Sequence, residues 1–392
     1  MNNRLKRLVS DFPRHRNIDA LVIAEDININ YLTGFNAKES WLLVLPPKAV
    51  YITDFRYIQE AKEGLKGVAF IKQHTQCLAA TLFELAKMNK IRRLGFDERH
   101  TSIACFKKLK SYCPARTKLI PTNGLVENLR EVKEEEEVNT VRQCLKTHFK
   151  ALLFLKKVVK IGLSELQILG YLEAFIKKEG VNFSFSPIIA SGPNSAYPHA
   201  QVSDRILKNN EPLLIDIGID IKGYKSDLTR NFFLGRMSPH YKKVLEATTF
   251  AQKEAIKLIK PGVAVAELDS CARKVLRKFG LAKYFGHSLG HGVGLEIHEN
   301  PRVSVKSKAI LETGMIITVE PGVYIIPELI DRWKATNQFA EFINYDKLEQ
   351  FRNFSGIRVE DDFLVTENGN RMLGKHLALT TDEIESIRSE AY

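Results

Sequence analysis

Two aspartates on the facing strands of one expected hairpin are the first residues here whose types and spacing could do chemistry. Residues 213–220 alternate apolar with small or acidic side chains, the period of a strand. Ile221 to Gly223 make the expected turn, with Gly223 free to take positive φ, and a second strand follows from about Tyr224 to Phe233. If the turn centres between Ile221 and Lys222, Asp216 and Asp227 oppose each other directly. Opposed residues have Cβ atoms about 4.5–5.5 Å apart, and like charges there destabilise the hairpin. Asp216 also sits in an apolar strand, where an unpaired ionised carboxylate is costly. Raising one pKa or placing a divalent cation between the pair would relieve both problems. The alternatives without chemistry are a solvent-facing pair, or Asp227 held by Arg230.

A second segment runs Gly286-His287-Ser288-Leu289-Gly290-His291-Gly292-Val293-Gly294, with His298 and Glu299 soon after and Asn300-Pro301 behind them. Glycines around His291 let backbone and ligand come close, and so many missing side chains argue against packing as their purpose. Met315 to Val319 then lead into Glu320-Pro321-Gly322, and Ile357-Arg358-Val359 into Glu360-Asp361-Asp362. Singly, each carboxylate could be an ordinary strand-end charge. Together Asp216, Asp227, His291, Glu320 and Glu360 supply four oxygen ligands and one nitrogen. That set suits Mn²⁺, Co²⁺, Fe²⁺ or Zn²⁺ in a two-metal site rather than a thiolate zinc site.

The elements that must position these groups come in two textures. Residues 18–24, 41–45, 49–53 and 92–96 read as strands and 56–63 and 75–88 as helices, a small α/β domain over 1–123 with no phosphate loop. From about 124 the pattern becomes helix, helix, sheet, twice over: 131–159, 166–179 and 183–235, then 239–259, 265–279 and 285–365. This order hints at a duplicated half-domain with a site between the halves. Ser164 and Gln167 offer a capping box, Gly180 a helix stop, and Ser238-Pro239 a cap and first turn. Glu134 to Glu137 suit the start of a helix and read as a solvated face.

The chain has 392 residues, enough for two domains, and its 44% hydrophobic and 27% charged residues describe a globular protein. No stretch approaches the 18 or so consecutive apolar residues of a membrane span, and the basic start lacks an apolar run of signal type. Five cysteines without a C-x-x-C pair fit a reducing cytosol, so a cytoplasmic location is expected. The net charge of +12 has no basic run interleaved with aromatics, and a nucleic-acid partner is not expected.

These segments, in this order, resemble the pita-bread metallopeptidases: methionine aminopeptidases, prolidases and aminopeptidase P. The resemblance spans the whole chain. It implies an α+β protein with a creatinase-type domain at 1–123 and a pita-bread catalytic domain at 124–392, joined near Leu129 to Lys133. The first of these favours the proline-directed branch. The resemblance also implies two divalent ions, with Mn²⁺ expected: Asp216 chelating one, Asp227 and Glu360 bridging, and His291 and Glu320 completing the other shell. Glu320 would be general base and acid, and His298 would stabilise the tetrahedral intermediate. His199 would lie on the substrate side, His287 would line the pocket, and Arg358 would brace Asp227 or another bridging carboxylate.

The implied activity is hydrolysis of the amino-terminal Xaa-Pro bond of peptides, of the aminopeptidase P kind, by a homodimer. An Xaa-Pro dipeptidase is the alternative, and a non-catalytic binding protein is disfavoured because none of the five ligand types is missing. One departure is a long segment, 327–355, rich in aromatics (Trp333, Phe339, Phe342, Tyr345, Phe351, Phe354), for which a subunit contact is the first expectation, a lid over the substrate the second and a plain surface insertion the third.

Overall fold

The apolar runs near the amino terminus become the central strands of a six-stranded sheet. The computed structural model describes residues 2–13, 17–65, 67–74, 76–337 and 354–374. They fall into two units, Met1–Arg130 and Glu131–Tyr392.

In the first unit the strands are β1 (Ala20–Ile23), β2 (Trp41–Leu45), β3 (Lys48–Thr53), β4 (Phe70–Gln73), β5 (Arg93–Asp97) and β6 (Lys118–Thr122). Their spatial order is β4-β3-β2-β1-β5-β6, with β2 antiparallel to both neighbours and the other pairs parallel. Helices α1 (Asn3–Ser10), α2 (Asp26–Thr33), α3 (Ile58–Gly64), α4 (Leu78–Met88), α5 (Ile103–Tyr112) and α6 (Leu125–Glu131) complete it. Val22, Leu43, Ile52 and Leu94 from the strands meet Leu82, Phe83 and Leu109 from the helices in one core. Continuous apolar strands of this kind are buried on both faces, which is why their sequences scarcely alternate.

The second unit repeats its pattern. Helices α7 (Glu135–Val158) and α8 (Glu165–Lys178) precede β7 (Asn182–Phe183), β8 (Ile188–Ser191), β9 (Glu211–Ile217), β10 (Ile219–Ile221), β11 (Tyr224–Lys225) and β12 (Leu228–Leu234). Helices α9 (Pro239–Ile256) and α10 (Val265–Lys278) precede β13 (Gly290–Gly292), β14 (Glu299–Val303), β15 (Ile316–Val319) and β16 (Gly322–Ile325). Helix α11 (Pro327–Ala335), β17 (Ser355–Arg358), β18 (Asp361–Thr366) and β19 (Gly369–Met372) follow. Each helix pair covers its own core, one around Leu145, Leu172, Ile215 and Phe232, the other around Val244, Leu276, Ile317 and Phe363. The expected α+β architecture with two helix-helix-sheet halves is the one observed. No described helix is long and apolar enough to cross a membrane.

Local chemistry explains the helix ends. Ser164 and Gln167 form the capping box, Ser238 accepts from the Tyr241 amide with Pro239 in the first turn, and Gly180 takes φ +75° just past α8. The acidic start of α7 is only partly a solvated face. Glu135 and Glu136 are exposed, but Glu137 is buried, closing the cap of its helix and accepting from the Tyr224 hydroxyl at 2.7 Å. Of the long 327–355 segment, its first part is α11, with Trp333 buried against Tyr284, while Phe354 stacks on Tyr241. Phe339, Phe342, Tyr345 and Phe351, on which the expected subunit contact rested, lie outside the described residues.

Candidate metal centre

The hairpin that carries the two aspartates turns one residue later than its sequence suggests. Lys222 (φ +54°) and Gly223 (φ +85°) are the central residues, so Ile221 pairs with Tyr224 and Asp220 with Lys225. Two central residues at positive φ make the turn whose twist matches its strands, and that requirement outweighed the turn expected over 221–223. As a result Asp216 faces Thr229, not Asp227. Asp227 is the diagonal neighbour on the same face, so the two carboxylates still converge. Neither is solvent-facing: Asp216 is 7% exposed and Asp227 5%. Arg230 does not hold Asp227 either. It donates to Asp361 Oδ1 and to the carbonyl oxygens of Thr229 and Glu360.

His291, in the middle of β13, enters from the other half of the unit. Its flanking glycines are needed for backbone packing, since a Cβ at Gly290 would lie 2.1 Å from Thr318 O and one at Gly292 2.1 Å from Asn300 O. The His291 Nδ1–H donates to Gly292 O at 3.0 Å, which turns the Nε2 lone pair toward the carboxylates. Nε2 is 3.6 Å from Asp227 Oδ2 and 3.5 Å from Glu320 Oε1. One donor atom each from Asp227, His291 and Glu360 lies within 4.8 Å of the others. Glu320 reaches this group through His291. Asp216 gives one oxygen to Arg358 Nη2 and has its other, Oδ1, buried without a partner.

The electrostatics are those of a set of carboxylates short of positive charge. Burial first, then Glu360 and Asp216, pushes Asp227 well above the usual carboxylate range. Burial and Glu360 do the same to Glu320, and burial with Asp216 raises Glu360 to about 8. Burial, helped by His298, lowers His291 to about 4, so the imidazole is neutral and able to ligate. Protons or a cation must compensate such a cluster. The partnerless Oδ1 atoms of Asp216 and Asp227, with one neutral imidazole, fit a divalent ion.

Around the cluster, Thr229 donates to Glu360 Oε2 at 2.6 Å and accepts from Arg358 Nε at 2.9 Å. Arg358 therefore braces Asp216 and, through Thr229, Glu360, and makes no bond to Asp227. His287 donates from Nδ1 to Ser288 O, and its Nε2 accepts from the Tyr324 hydroxyl at 3.0 Å. Burial, then Arg358, lowers His287 to about 3. His298 stands edge-on to His291, ring centroids 4.4 Å apart. His199 is exposed on a cleft of about 450 Å³ shared with Tyr197, Gln201 and Arg205. It is close enough to His287 and His298 to depress both.

Several groups escaped the sequence reading. Tyr324 accepts from Arg358 Nη1 at 2.8 Å, and Asp362 accepts from the Asp227 amide at 3.2 Å. Glu165, in the capping turn of α8, is wholly buried and accepts from the amides and hydroxyls of both Ser191 and Ser203, stapling the loop that carries His199. Only the adjacency of Asp362 to Glu360 was visible in advance.

The family description Metallopeptidase family M24 matches residues 139–367, and Creatinase/Prolidase N-terminal domain matches residues 4–132. The Xaa-Pro dipeptidase of Pyrococcus furiosus is 30% identical over 378 residues, 96% of this chain and 98% of its own. The structure of an Xaa-Pro dipeptidase from Bacillus anthracis superposes with a TM-score of 0.85 at 31% identity, over 95% of this chain and 97% of that one. That of an X-Pro aminopeptidase from Thermotoga maritima gives 0.81 at 29% identity, over 95% and 97%.

Proposed function

The chain belongs to metallopeptidase family M24, with a creatinase/prolidase N-terminal domain, and from that premise we propose that it is a divalent-metal-dependent Xaa-Pro dipeptidase. The observation that carries the reading is the buried carboxylate cluster with partnerless oxygens, closed on one side by a neutral imidazole. A non-catalytic fold has no use for so costly an arrangement. Asp216, Asp227, His291, Glu320 and Glu360 would be the residues that hold two divalent ions. Mn²⁺ is the ion we assign, from a donor set that Co²⁺, Fe²⁺ and Zn²⁺ also suit. Divalent ions held there supply Lewis acidity toward water and the scissile carbonyl.

The protein's own groups do the rest. Glu320, which reaches the cluster beside His291, takes a proton from the attacking water and passes it to the leaving proline nitrogen. His298, beside His291, donates to the oxygen that becomes negative at the tetrahedral stage. Thr229, Arg358 and Tyr324 hold Glu360, Asp216 and His287 in place, so little reorganisation accompanies the charge movement.

The reading from sequence leaned to aminopeptidase P. The Pyrococcus furiosus and Bacillus anthracis relatives favour the dipeptidase instead. Arg302 supports that preference. This exposed cation is anchored through Nε to Ser288 Oγ at 2.8 Å, near His291 and His298, and would be available to the free carboxylate of a dipeptide. The Thermotoga maritima structure keeps aminopeptidase P as the second reading. Incubating the Mn²⁺-loaded protein with Ala-Pro and with Ala-Pro-Ala and quantifying free alanine separates the two. Faster release from the dipeptide, lost on Arg302→Ala, supports the dipeptidase. Faster release from the tripeptide overturns it, and silence on both substrates defeats the peptidase reading.

A further inference from the structure

His298 hangs from the turn between β13 and β14, and that turn is tied from within by the residue beside it. Glu299 Oε1 accepts from the Glu296 amide at 3.1 Å, and Gly294 N donates to Glu296 O at 3.1 Å. The other Glu299 oxygen accepts from Lys133 Nζ at 2.8 Å, in a pair whose side chains are 1% and 5% exposed. A Cβ at Gly294 would stand 2.5 Å from Glu299 Oε2, so glycine there makes room for the carboxylate.

Lys133 is itself immobilised. Its amide donates to Gly314 O at 2.9 Å, Val132 bridges to Met315, and its ammonium also donates to Glu131 O at 3.3 Å. The Glu131 side chain bonds Asn300. Residues 131–133 are thus fastened next to β15, the strand that leads into Glu320, and grip Glu299 and Asn300 just past His298. A buried ion pair of this kind is weak as a source of stability, because both charges must be desolvated, but it holds geometry tightly.

We propose that Lys133 and Glu299 are positioning residues for His298, fixing the 294–299 turn so that the imidazole faces the carboxylate cluster. The proposal rests on the peptidase reading above. Its test uses the full-length, Mn²⁺-loaded protein with Ala-Pro, measuring kcat and KM together with bound metal, the thermal melt and the ring NMR signals of His298. Lys133→Met and Glu299→Gln are expected to lower kcat roughly 10–100-fold, the usual effect of losing a supporting partner, with KM and metal content near wild type. Lys133→Met/Glu299→Leu leaves no buried charge, so its melt is expected to recover while kcat does not.

Recovery of kcat along with the melt would show that the pair serves stability alone and would overturn the proposal. Wild-type kcat in either single variant would do the same. If the single variants do not fold, Lys133→Arg is compared with the double variant. More kcat retained by Lys133→Arg supports positioning, and equal values overturn it. Inactivity of the wild type on every Xaa-Pro substrate would defeat the functional reading instead. The His298 ring signals need no turnover, and they must still shift in the variants for the proposal to stand.

Discussion

The two units of this chain treat charge in opposite ways. In the first, the described ion pairs lie at or near the surface. Arg56, 47% exposed, bonds Glu39 and Asp54, and among the described residues Arg130 is the only charged side chain that is buried. The second buries Asp216, Asp227, Arg230, Arg358, Glu360, Asp361 and Asp362 around one point. Apolar burial stabilises both, but the second holds carboxylates that repel one another, and folding alone offers no reason to keep them. Charge concentrated in a dry interior at a cost to stability is how a site for a cation and a polar reaction differs from a core.

The sharpest way to break the contrast is at Glu320. Glu320→Gln leaves a near-isosteric side chain but cannot carry a proton, and kcat should fall roughly 10²–10⁴-fold while the fold survives. A melt and a rate on the same sample check both halves of that statement.

A smaller but more discriminating effect lies in stability against pH. Burial and Asp216 raise Glu360 to about 8 in the metal-free protein, above its ordinary value of 4.5. Between those values the folded chain keeps a proton that the unfolded chain releases, so stability is greatest below the window and falls as pH rises through it. Glu360→Gln should flatten that fall and raise the melting temperature of metal-free protein at pH 8, while metal binding weakens. Added Mn²⁺ should stabilise the wild type more at pH 8 than at pH 6. Equal stabilisation at both would show that the cluster is not short of positive charge.

Next in size is His148, buried on α7 with both ring nitrogens partnerless and its pKa lowered to about 3, by burial first and then by Arg230. The neutral ring is the one the fold accepts, so its contribution is intact above 6.5 and is lost as pH falls toward 3. His148→Leu should stabilise the protein by about 1–3 kcal/mol, the cost of unsatisfied buried polar atoms, and flatten the acid limb. Activity at neutral pH should be unchanged. Smallest of all, Arg56→Ala in the first unit should leave the melting temperature unaltered, because an exposed ion pair contributes little.

Some of this was legible in the chain and some was not, for reasons that can be named. The helix ends at Ser164 and Ser238 and the apolar strands of the first unit depend on neighbours a few residues away, so local pattern was enough. The hairpin register was misjudged by one turn residue, because Lys222 gives no sign of accepting positive φ whereas Gly223 does. Glu137 looked like a solvated charge because a helix start explains an acid equally well whether it is wet or dry.

By itself the sequence determined the set of candidate ligand types, the glycines that bring β13 close to its neighbours, and the repeated order of helix and sheet. Those are matters of residue chemistry and short-range periodicity. The tertiary structure alone decided that Asp216 leans on Arg358, that Thr229 links Arg358 to Glu360, and that Lys133 reaches Glu299 across 166 positions of chain. Such pairings come from strands and turns meeting in space, where desolvation makes each buried charge seek whichever partner the fold has brought within reach.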